Sequence, residues 1–424
     1  MDGQLERFSE LDSAIAKACG SIRVLKHLTW PESLMDTFLK SYRAGNLKLP
    51  DFQSTPVDRS AKVEELEALM AQCDRGHPIG SQLWKTAWSY ATATRMLGAM
   101  GTPEFTEHSI ALYGRPDHVY ERQRLSSLDA ANPIMEVTSN LMTRDVVAKT
   151  QSTIPSDVFA QRLRHALDEF FVDDEVAVVL DAKMSAKAAA GSNRVKVRED
   201  ALFSDMDLAQ LLNHEALIHT LTSINGKRQP LRSLGLGSPR TTKTQEGLAV
   251  FSELVTYSID ISRLRRVALR SQAVGLALNG GDFIEVFLHF LDGGQSEEES
   301  YHSAQRIFRG GDVRGSIAFT KDGAYLEGLI LVQTFLKKAI ADGREDLIPM
   351  LFAGRMTLGD VIELEELFLS GVLKPARYLP PWAVGFQRLA ANLSYALFSS
   401  RIQLDTVELD RFLSLEEGAL PSDR

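Results

Sequence analysis

The chain has 424 residues, of which 44% are apolar and 24% are charged, a composition typical of soluble globular proteins that can build a large core. Its formal charge is -9, and its Lys and Arg residues are scattered among acidic ones, which argues against a nucleic-acid groove with one strongly basic face. The composition therefore favours a small-molecule or peptide partner over nucleic acid.

The N-terminus lacks the positively charged start and the apolar run of a secretory signal, and no later run reaches 18 apolar residues. The only cysteines are Cys19 and Cys73, so neither a disulfide framework nor a zinc site made of thiolates can be built. We therefore expect a cytoplasmic protein that has no membrane partner.

The first part of the chain, residues 1–130, carries apolar residues at helical spacing. Examples are "VEELEALMAQC" and "SQLWKTAWSYATATRMLGAM", with "NLKLPDFQSTP" and "GHPIGS" as breaks between helices. This pattern predicts a helical N-terminal region over residues 1–130 and a second region over residues 131–424.

The second region contains two strand-like segments. "EVAVVLDAKM" holds a β-branched apolar run, "AAAGSN" supplies turn residues, and "RVKVRED" alternates apolar with charged residues, which together predict an antiparallel hairpin. The next segment, "SDMDLAQLLNHEALIHTL", begins with Ser204 and Asp207 at the spacing of a capping box and predicts a helix. This order of strands and helix predicts an α+β fold, mostly helical, with a small antiparallel sheet beside a zincin-like centre.

His214 and His219 lie on this helix as H-E-x-x-x-H, one residue longer than the H-E-x-x-H motif of zinc metalloproteases. At about 100° per residue, positions five apart point roughly 140° away from each other and cannot share one ion on a regular helix. A π-bulge would return both rings to nearly the same side, and such bulges are frequent at functional sites. The spacing therefore predicts a helix distortion if the two histidines bind metal, while two unrelated histidines on an amphipathic helix remain the alternative.

A hydrolytic zinc site needs a third protein ligand, and the following helix offers Glu246. In "TTKTQEGLAVFSELV", Thr242 and Gln245 have capping-box spacing, so Glu246 is expected in the first turns. A carboxylate at that place also suits the helix dipole, so the position alone leaves both interpretations open.

Three segments, "NHEALIHTLTSINGKRQP", "TKTQEGLAVFSE" and "SIAFTKDGAYLEGL", resemble the family that includes the microtubule-associated tyrosine carboxypeptidase and the bacterial proteins named for a QEGLA motif. "EFTEHSIALYGRP" resembles the same family upstream, so the similarity covers roughly residues 100–380. The resemblance implies that His214, His219 and Glu246 bind zinc, that Glu215 is the catalytic base, and that the substrate is a peptide or protein C-terminus. The chain has Q-E where the family also has E-E, and no visible extension for microtubules, so tubulin specificity is not carried over.

Further candidates follow from the chemistry of amide hydrolysis. Tyr325 or Lys321 is expected to stabilise the oxyanion, because a phenol or an ammonium group can meet its developing charge. A carboxypeptidase must also bind a free carboxylate, for which Arg228 and Arg240, or Lys321, are candidates in or beside the metal motifs. Two other functions stay open: another zinc amide hydrolase, such as a dipeptidyl peptidase, and a regulatory protein without turnover, although the presence of Glu215 argues against the latter. The sequence indicates neither the substrate side chain nor the oligomeric state.

Overall fold

The computed structural model describes residues 2–120, 125–142, 152–182, 184 and 186–399, and helices dominate this part of the chain. The α-helices are Asp2–Gly20 (α1), Val24–His27 (α2), Ser33–Arg43 (α3), Ser60–Met70 (α4), Pro78–Gly98 (α5), Pro103–Tyr113 (α6), Ser127–Met142 (α7), Ser156–Phe170 (α8), Asp205–Leu211 (α9), Leu221–Lys227 (α10), Thr242–Val255 (α11), Ile261–Leu278 (α12), Phe283–Asp292 (α13), Glu297–Phe308 (α14), Ala324–Ala341 (α15), Leu347–Met350 (α16), Leu358–Glu363 (α17), Glu365–Leu369 (α18), Pro381–Val384 (α19) and Phe386–Ser399 (α20). A π-helix, Leu212–Thr220, joins α9 to α10, and 3₁₀ turns lie at Arg232–Gly235, Pro239–Thr241 and Thr320–Gly323.

In the described part of the chain, five short strands form two small sheets: Ile154–Pro155 (β1), Ala177–Asp181 (β2), Ala188–Ala190 (β3), Arg194–Arg198 (β4) and Leu202–Phe203 (β5). β1 pairs with β5 in an antiparallel ladder, and the other sheet has the order β2-β4-β3. Mostly helical with small sheets, the described part of the chain confirms the predicted α+β class.

The predicted antiparallel hairpin of "EVAVVLDAKM" with "RVKVRED" is wrong in its pairing. β2 and β4 run parallel, with Val178 opposite Val195, while β3 forms the antiparallel pair with β4. The reason lies in the connecting segment, whose three alanines form β3 itself and whose Gly191 and following residues make the tight turn into β4. Because β3 comes between β2 and β4 in the sequence and runs antiparallel to both, β4 runs parallel to β2, whereas two strands joined by a direct hairpin are antiparallel.

α9 begins as predicted, with a capping box in which Ser204 accepts from the backbone N–H of Asp207 and Asp207 accepts from that of Ser204. The chain then enters the π-helix without a break. Ala216, Leu217 and Ile218 of the π-helix are buried in the largest core cluster, which also includes residues of α1, α5, α11 and α15. The core therefore holds the π-helix in place from several sides. The division of the chain near residue 130 stays a prediction.

Among the described residues, no helix combines the length and the apolarity that crossing a bilayer requires.

Candidate metal centre

The π-helix resolves the five-residue spacing of the two histidines. His214 and His219 both lie within Leu212–Thr220, and their rings face each other edge to face with centroids 5.0 Å apart. Wider π-helical turns move the second ring back toward the first, as the angular argument required. The predicted helix distortion is thus confirmed.

Glu246 lies opposite the two histidines on α11. Its Oε2 atom is 3.7 Å from the Nε2 atom of His214 and 3.7 Å from that of His219. Its other oxygen, Oε1, accepts a 2.9 Å hydrogen bond from the Lys321 ammonium group. The carboxylate therefore has one oxygen held by a lysine and the other directed at both imidazoles.

The predicted capping box of α11 is wrong. The 3₁₀ turn Pro239–Thr241 leads directly into the helix, so Thr242 is already helical and Thr241 precedes it without a side-chain cap. Gln245 therefore faces the histidine helix instead, where its Oε1 accepts from Thr222 at 2.9 Å and lies 3.4 Å from His219 Nδ1. This contact helps to fix the orientation of the second imidazole.

A close crossing of α11 and α15 brings Glu246 and Lys321 together. A Cβ atom added to Gly247 would collide with the backbone carbonyl of Gly328, and one added to Gly328 would collide with the carbonyl of Lys243. The two helices can touch backbone to backbone only because both positions lack a side chain. The glycines of "QEGLA" and "YLEGL" therefore set the distance across the centre.

A second carboxylate, Glu253, supports the first histidine from behind, and sequence reasoning missed it. Its Oε1 lies 2.6 Å from His214 Nδ1, and Arg263 binds the same carboxylate through two nitrogens at 3.1 and 3.0 Å. Such an outer partner fixes the ring so that the opposite nitrogen, Nε2, is free to bind metal. One signal was available: Glu253 follows Glu246 by two helical turns and so lies on the same face.

Neighbouring charges outweigh burial for the ionisable groups of this centre. Burial acts to lower the pKa of His214, but its contacts with Glu246 and Glu253 raise that pKa to about 10. Burial acts to raise the pKa of Glu246, but Lys321 and both histidines hold it well below its ordinary value. Burial likewise opposes ionisation of Glu253, but Arg263 and His214 hold its pKa at about 2. Both glutamates therefore stay ionised at neutral pH, and without a metal the His214 ring is protonated; a bound metal cation would displace the proton from Nε2.

The donor atoms fit a zinc ion. Donors bound about 2.0–2.2 Å from a tetrahedral zinc lie roughly 3.3–3.5 Å from one another. Here one donor atom from each of His214, His219 and Glu246 lies within 4.8 Å of the other two. Two imidazoles and one carboxylate are also a donor set that hydrolytic zinc sites use. These three residues could therefore hold zinc after a small contraction.

Glu215 lies beside these donors and outside their set. Its Oε1 is 4.0 Å from His214 Nε2, and its Oε2 accepts a 2.7 Å hydrogen bond from the backbone N–H of Ala190. Because Ala190 belongs to β3, the outer strand of its sheet, the free edge of β3 faces the centre.

Of the predicted oxyanion donors, Lys321 contacts the centre directly through Glu246. Tyr325 is buried one turn further, with the Arg270 guanidinium 4.5 Å and the Lys321 ammonium 5.6 Å from its ring centroid. Lys321 therefore lies near both the Glu246 carboxylate and the Tyr325 ring.

The two predicted carboxylate-binding arginines are engaged with other partners. Arg228 pairs with Asp174 at 2.5 Å, and Arg240 forms a two-nitrogen pair with buried Asp360. Neither pairs with His214, His219, Glu246 or Glu215 among the described contacts. Their assignment to the substrate stays a prediction that these ion pairs do not favour.

A cavity of about 420 Å³ lies next to the centre and includes Lys321 in its wall. Tyr90, Tyr113, Gly237 and Thr242 line it as well. The segment from Ile22 to Lys26, between α1 and the end of α2, forms a further wall. The cavity thus connects the N-terminal helices with the residue that holds Glu246.

Comparison with known proteins adds one positive finding. The family model described as microtubule-associated tyrosine carboxypeptidase matches residues 36–401, most of the chain, including every residue of the centre. No curated protein matches the chain. Residues 22–26, which form one wall of the cavity described above, lie outside the matched residues 36–401. From the extent of this match, the chain belongs to the microtubule-associated tyrosine carboxypeptidase family.

Proposed function

We propose that this protein is a zinc-dependent metallocarboxypeptidase that hydrolyses the C-terminal peptide bond of a peptide or protein. Membership of a carboxypeptidase family supports the reaction class. The observation that carries the metal is the convergence of His214, His219 and Glu246 within 4.8 Å, which occurs despite the five-residue spacing of the histidines. Zinc bound there would act as a Lewis acid and lower the pKa of a bound water toward neutrality.

Glu215 is the general base in this proposal. Its carboxylate lies 4.0 Å from His214 Nε2, outside the three donors, and the Ala190 N–H fixes one of its oxygens. It removes a proton from the attacking water as the new C–O bond forms. It then gives that proton to the leaving amine as the C–N bond breaks, so no other proton source is required.

Lys321 and Tyr325 are the proposed oxyanion donors. The Lys321 ammonium is anchored on Glu246 Oε1, and Arg270 and Lys321 both lie near the Tyr325 ring. A fixed positive charge beside the reacting carbonyl stabilises the transition state without reorganisation, which is where most of the electrostatic benefit arises.

The substrate chain is proposed to lie along the free edge of β3. Among the described residues β3 pairs only with β4, and the N–H of Ala190 donates to Glu215 instead of to β4. Main-chain hydrogen bonds to an exposed strand edge hold a peptide extended without selecting its side chains. Substrate selectivity then depends on the side chain of the terminal residue. The family name suggests tyrosine as the first terminal residue to test.

One experiment tests the reaction class. A peptide that ends in tyrosine with a free carboxylate is compared with its C-terminal amide, and the products are identified by mass spectrometry. We expect loss of the terminal residue from the free acid and much slower cleavage of the amide, because amidation removes the charge that an exopeptidase binds. Equal cleavage of both peptides, or release of residues from the N-terminus, would instead indicate the alternative zinc amide hydrolase.

The metal assignment has a separate test. We expect about one zinc per chain in the purified protein, and much less in Glu246→Ala, since zinc needs three protein donors at such a site. Unchanged zinc in that variant would show that Glu246 is not a ligand.

A further inference from the structure

Arg355 lies beside the histidine helix without a carboxylate partner among the described residues. Its Nη2 atom donates a 2.9 Å hydrogen bond to the backbone carbonyl of His219. Its Nε atom is buried and has no hydrogen-bond partner in the described part of the chain. The side chain therefore contacts a residue of the centre through a backbone carbonyl and has no carboxylate partner among the described residues.

The backbone holds Arg355 firmly in this place. Its N–H donates a 2.7 Å hydrogen bond to the carbonyl of Leu234. A Cβ atom added to Gly226 of α10 would collide with the same carbonyl, so the turn that contains Leu234 packs directly against α10. α10 continues the π-helix, and Arg355 is thus fixed relative to the histidines through backbone contacts.

Gly237 separates the Arg355 guanidinium from the cavity described above. A Cβ atom at Gly237 would lie only 2.5 Å from Arg355 Nη1, while Gly237 itself lines the cavity of about 420 Å³. Tyr90, which also lines the cavity, donates a 3.2 Å hydrogen bond from its hydroxyl to the Gly237 carbonyl and so fixes the position of Gly237. Gly237 therefore lies between the Arg355 guanidinium and the cavity that Lys321 also lines.

Two other cations at the centre have carboxylate partners. Arg263 is paired with Glu253 and Lys321 with Glu246. A partly buried guanidinium without an anion is unfavourable, and a carboxylate is the group whose two oxygens match its fork of donors. A carboxylate of the substrate can therefore supply the anion that Arg355 lacks among the described residues.

We propose that Arg355 binds the terminal carboxylate of the substrate, with the side chain of the last residue in the cavity between Gly237 and Lys321. This inference rests on the proposed carboxypeptidase function and names the group that makes the enzyme an exopeptidase. It assigns to Arg355 the role that the sequence suggested for Arg228 or Arg240, both of which have carboxylate partners within the protein.

The test uses the full-length zinc-loaded protein and two variants, Arg355→Gln and Arg355→Lys. For the free-acid peptide we expect Arg355→Gln to lower kcat/KM on the order of 10- to 100-fold, mainly through KM, because a charged hydrogen-bond pair is lost. Cleavage of the amide should change little, and zinc content should stay the same. Arg355→Lys should fall between, since it keeps the charge and loses the fork.

Gly237→Ala provides a variant that leaves Arg355 in place. Its new Cβ would press on Nη1, so we expect a reduced preference for the free acid with zinc retained. Arg228→Gln is the matched control, an arginine paired with Asp174, and should keep the full preference. A loss of preference in Arg228→Gln, or equal losses for acid and amide in Arg355→Gln, would overturn the assignment.

A binding measurement separates this inference from the proposed function. By calorimetry, N-acetyltyrosine should bind the wild type more tightly than N-acetyltyrosinamide, and Arg355→Gln should abolish the difference. Such a result without peptide cleavage would retain the carboxylate site and reject the carboxypeptidase. Cleavage with an undiminished acid preference in Arg355→Gln would retain the carboxypeptidase and reject Arg355.

Discussion

Glu253→Gln isolates the support behind the first histidine from the metal ligands themselves. The side chain of Glu253 is 0% exposed and that of Arg263 only 11%, so the substitution leaves a buried guanidinium without its charge partner. The shift in the pKa of Glu253 from 4.5 to about 2 corresponds to about 3 kcal/mol in favour of the ionised form. Loss of one partner of a buried pair costs about 3–5 kcal/mol, which agrees in magnitude. We therefore expect a loss of a few kcal/mol in the free energy of unfolding.

The same variant should bind zinc about 10–100-fold more weakly, because outer partners of a metal-bound imidazole contribute to affinity by that factor. Urea unfolding of the metal-free protein gives the stability, and competition with a chelator gives the zinc affinity. Asp360→Asn is the control, since the Arg240–Asp360 pair is equally buried, at 10% and 1% exposure, and contacts no metal ligand. It should lose stability and keep its zinc affinity. Unchanged zinc affinity in Glu253→Gln, or an equal loss in the control, would refute the role of Glu253.

Three further predictions follow from individual contacts. Glu215→Gln should retain zinc and lose about 10²- to 10⁴-fold in kcat, and a variant that loses zinc would show that Glu215 is a ligand instead. Gly247→Ala should force α11 and α15 apart, lowering both Tm and zinc affinity, whereas Gly20→Ala, with nothing within 4 Å, should do neither. Asp322→Asn should destabilise the protein at neutral pH, because buried Asp322 binds Arg306 at 2.7 Å through both oxygens. Burial acts to raise the pKa of Asp322, but Arg306 and Arg270 hold that pKa below its ordinary value of 3.8. The ionised carboxylate therefore stabilises the protein above pH 3.8, and this stabilisation is lost as the pH falls through the lowered pKa. The difference in urea stability between wild type and Asp322→Asn should accordingly narrow in acid, and a constant difference would contradict the ion pair.

The central helix of the site could be predicted from the sequence because its evidence is local. The five-residue spacing of His214 and His219 conflicts with regular helical geometry, and the π-helix resolves that conflict. Ser204 and Asp207 likewise lie three residues apart and make the capping box that their types suggest.

The contacts that sequence reasoning missed join distant segments. The two-turn spacing from Glu246 places Glu253 on the same helix face, but it does not separate a buried glutamate from a solvated one; only the contacts with Arg263 and His214 do so. Arg355 follows α16 in an irregular segment, where no periodicity shows which way a side chain points. Arg228 and Arg240 were chosen because they are near the motifs in sequence, yet their side chains pair with Asp174 and Asp360.

The strand pairing failed for a related reason. Composition identified β2 and β4 correctly as strands, but the segment between them contains three alanines whose weak strand propensity hides β3. Pairing direction depends on which strands become neighbours in the sheet, and that is decided by tertiary packing.

The most direct test measures, by mass spectrometry, the cleavage of a peptide that ends in tyrosine. One sample of the protein is assayed as purified, after treatment with a zinc chelator, and after zinc is added back. The account predicts release of the terminal residue by the purified protein, loss of that activity after treatment with a zinc chelator, and its return when zinc is added. The Glu246→Ala variant should remain inactive at each stage, since one of the three donors is missing. Undiminished release after the chelator has removed all zinc, or full activity of Glu246→Ala, would contradict a catalytic zinc held by His214, His219 and Glu246.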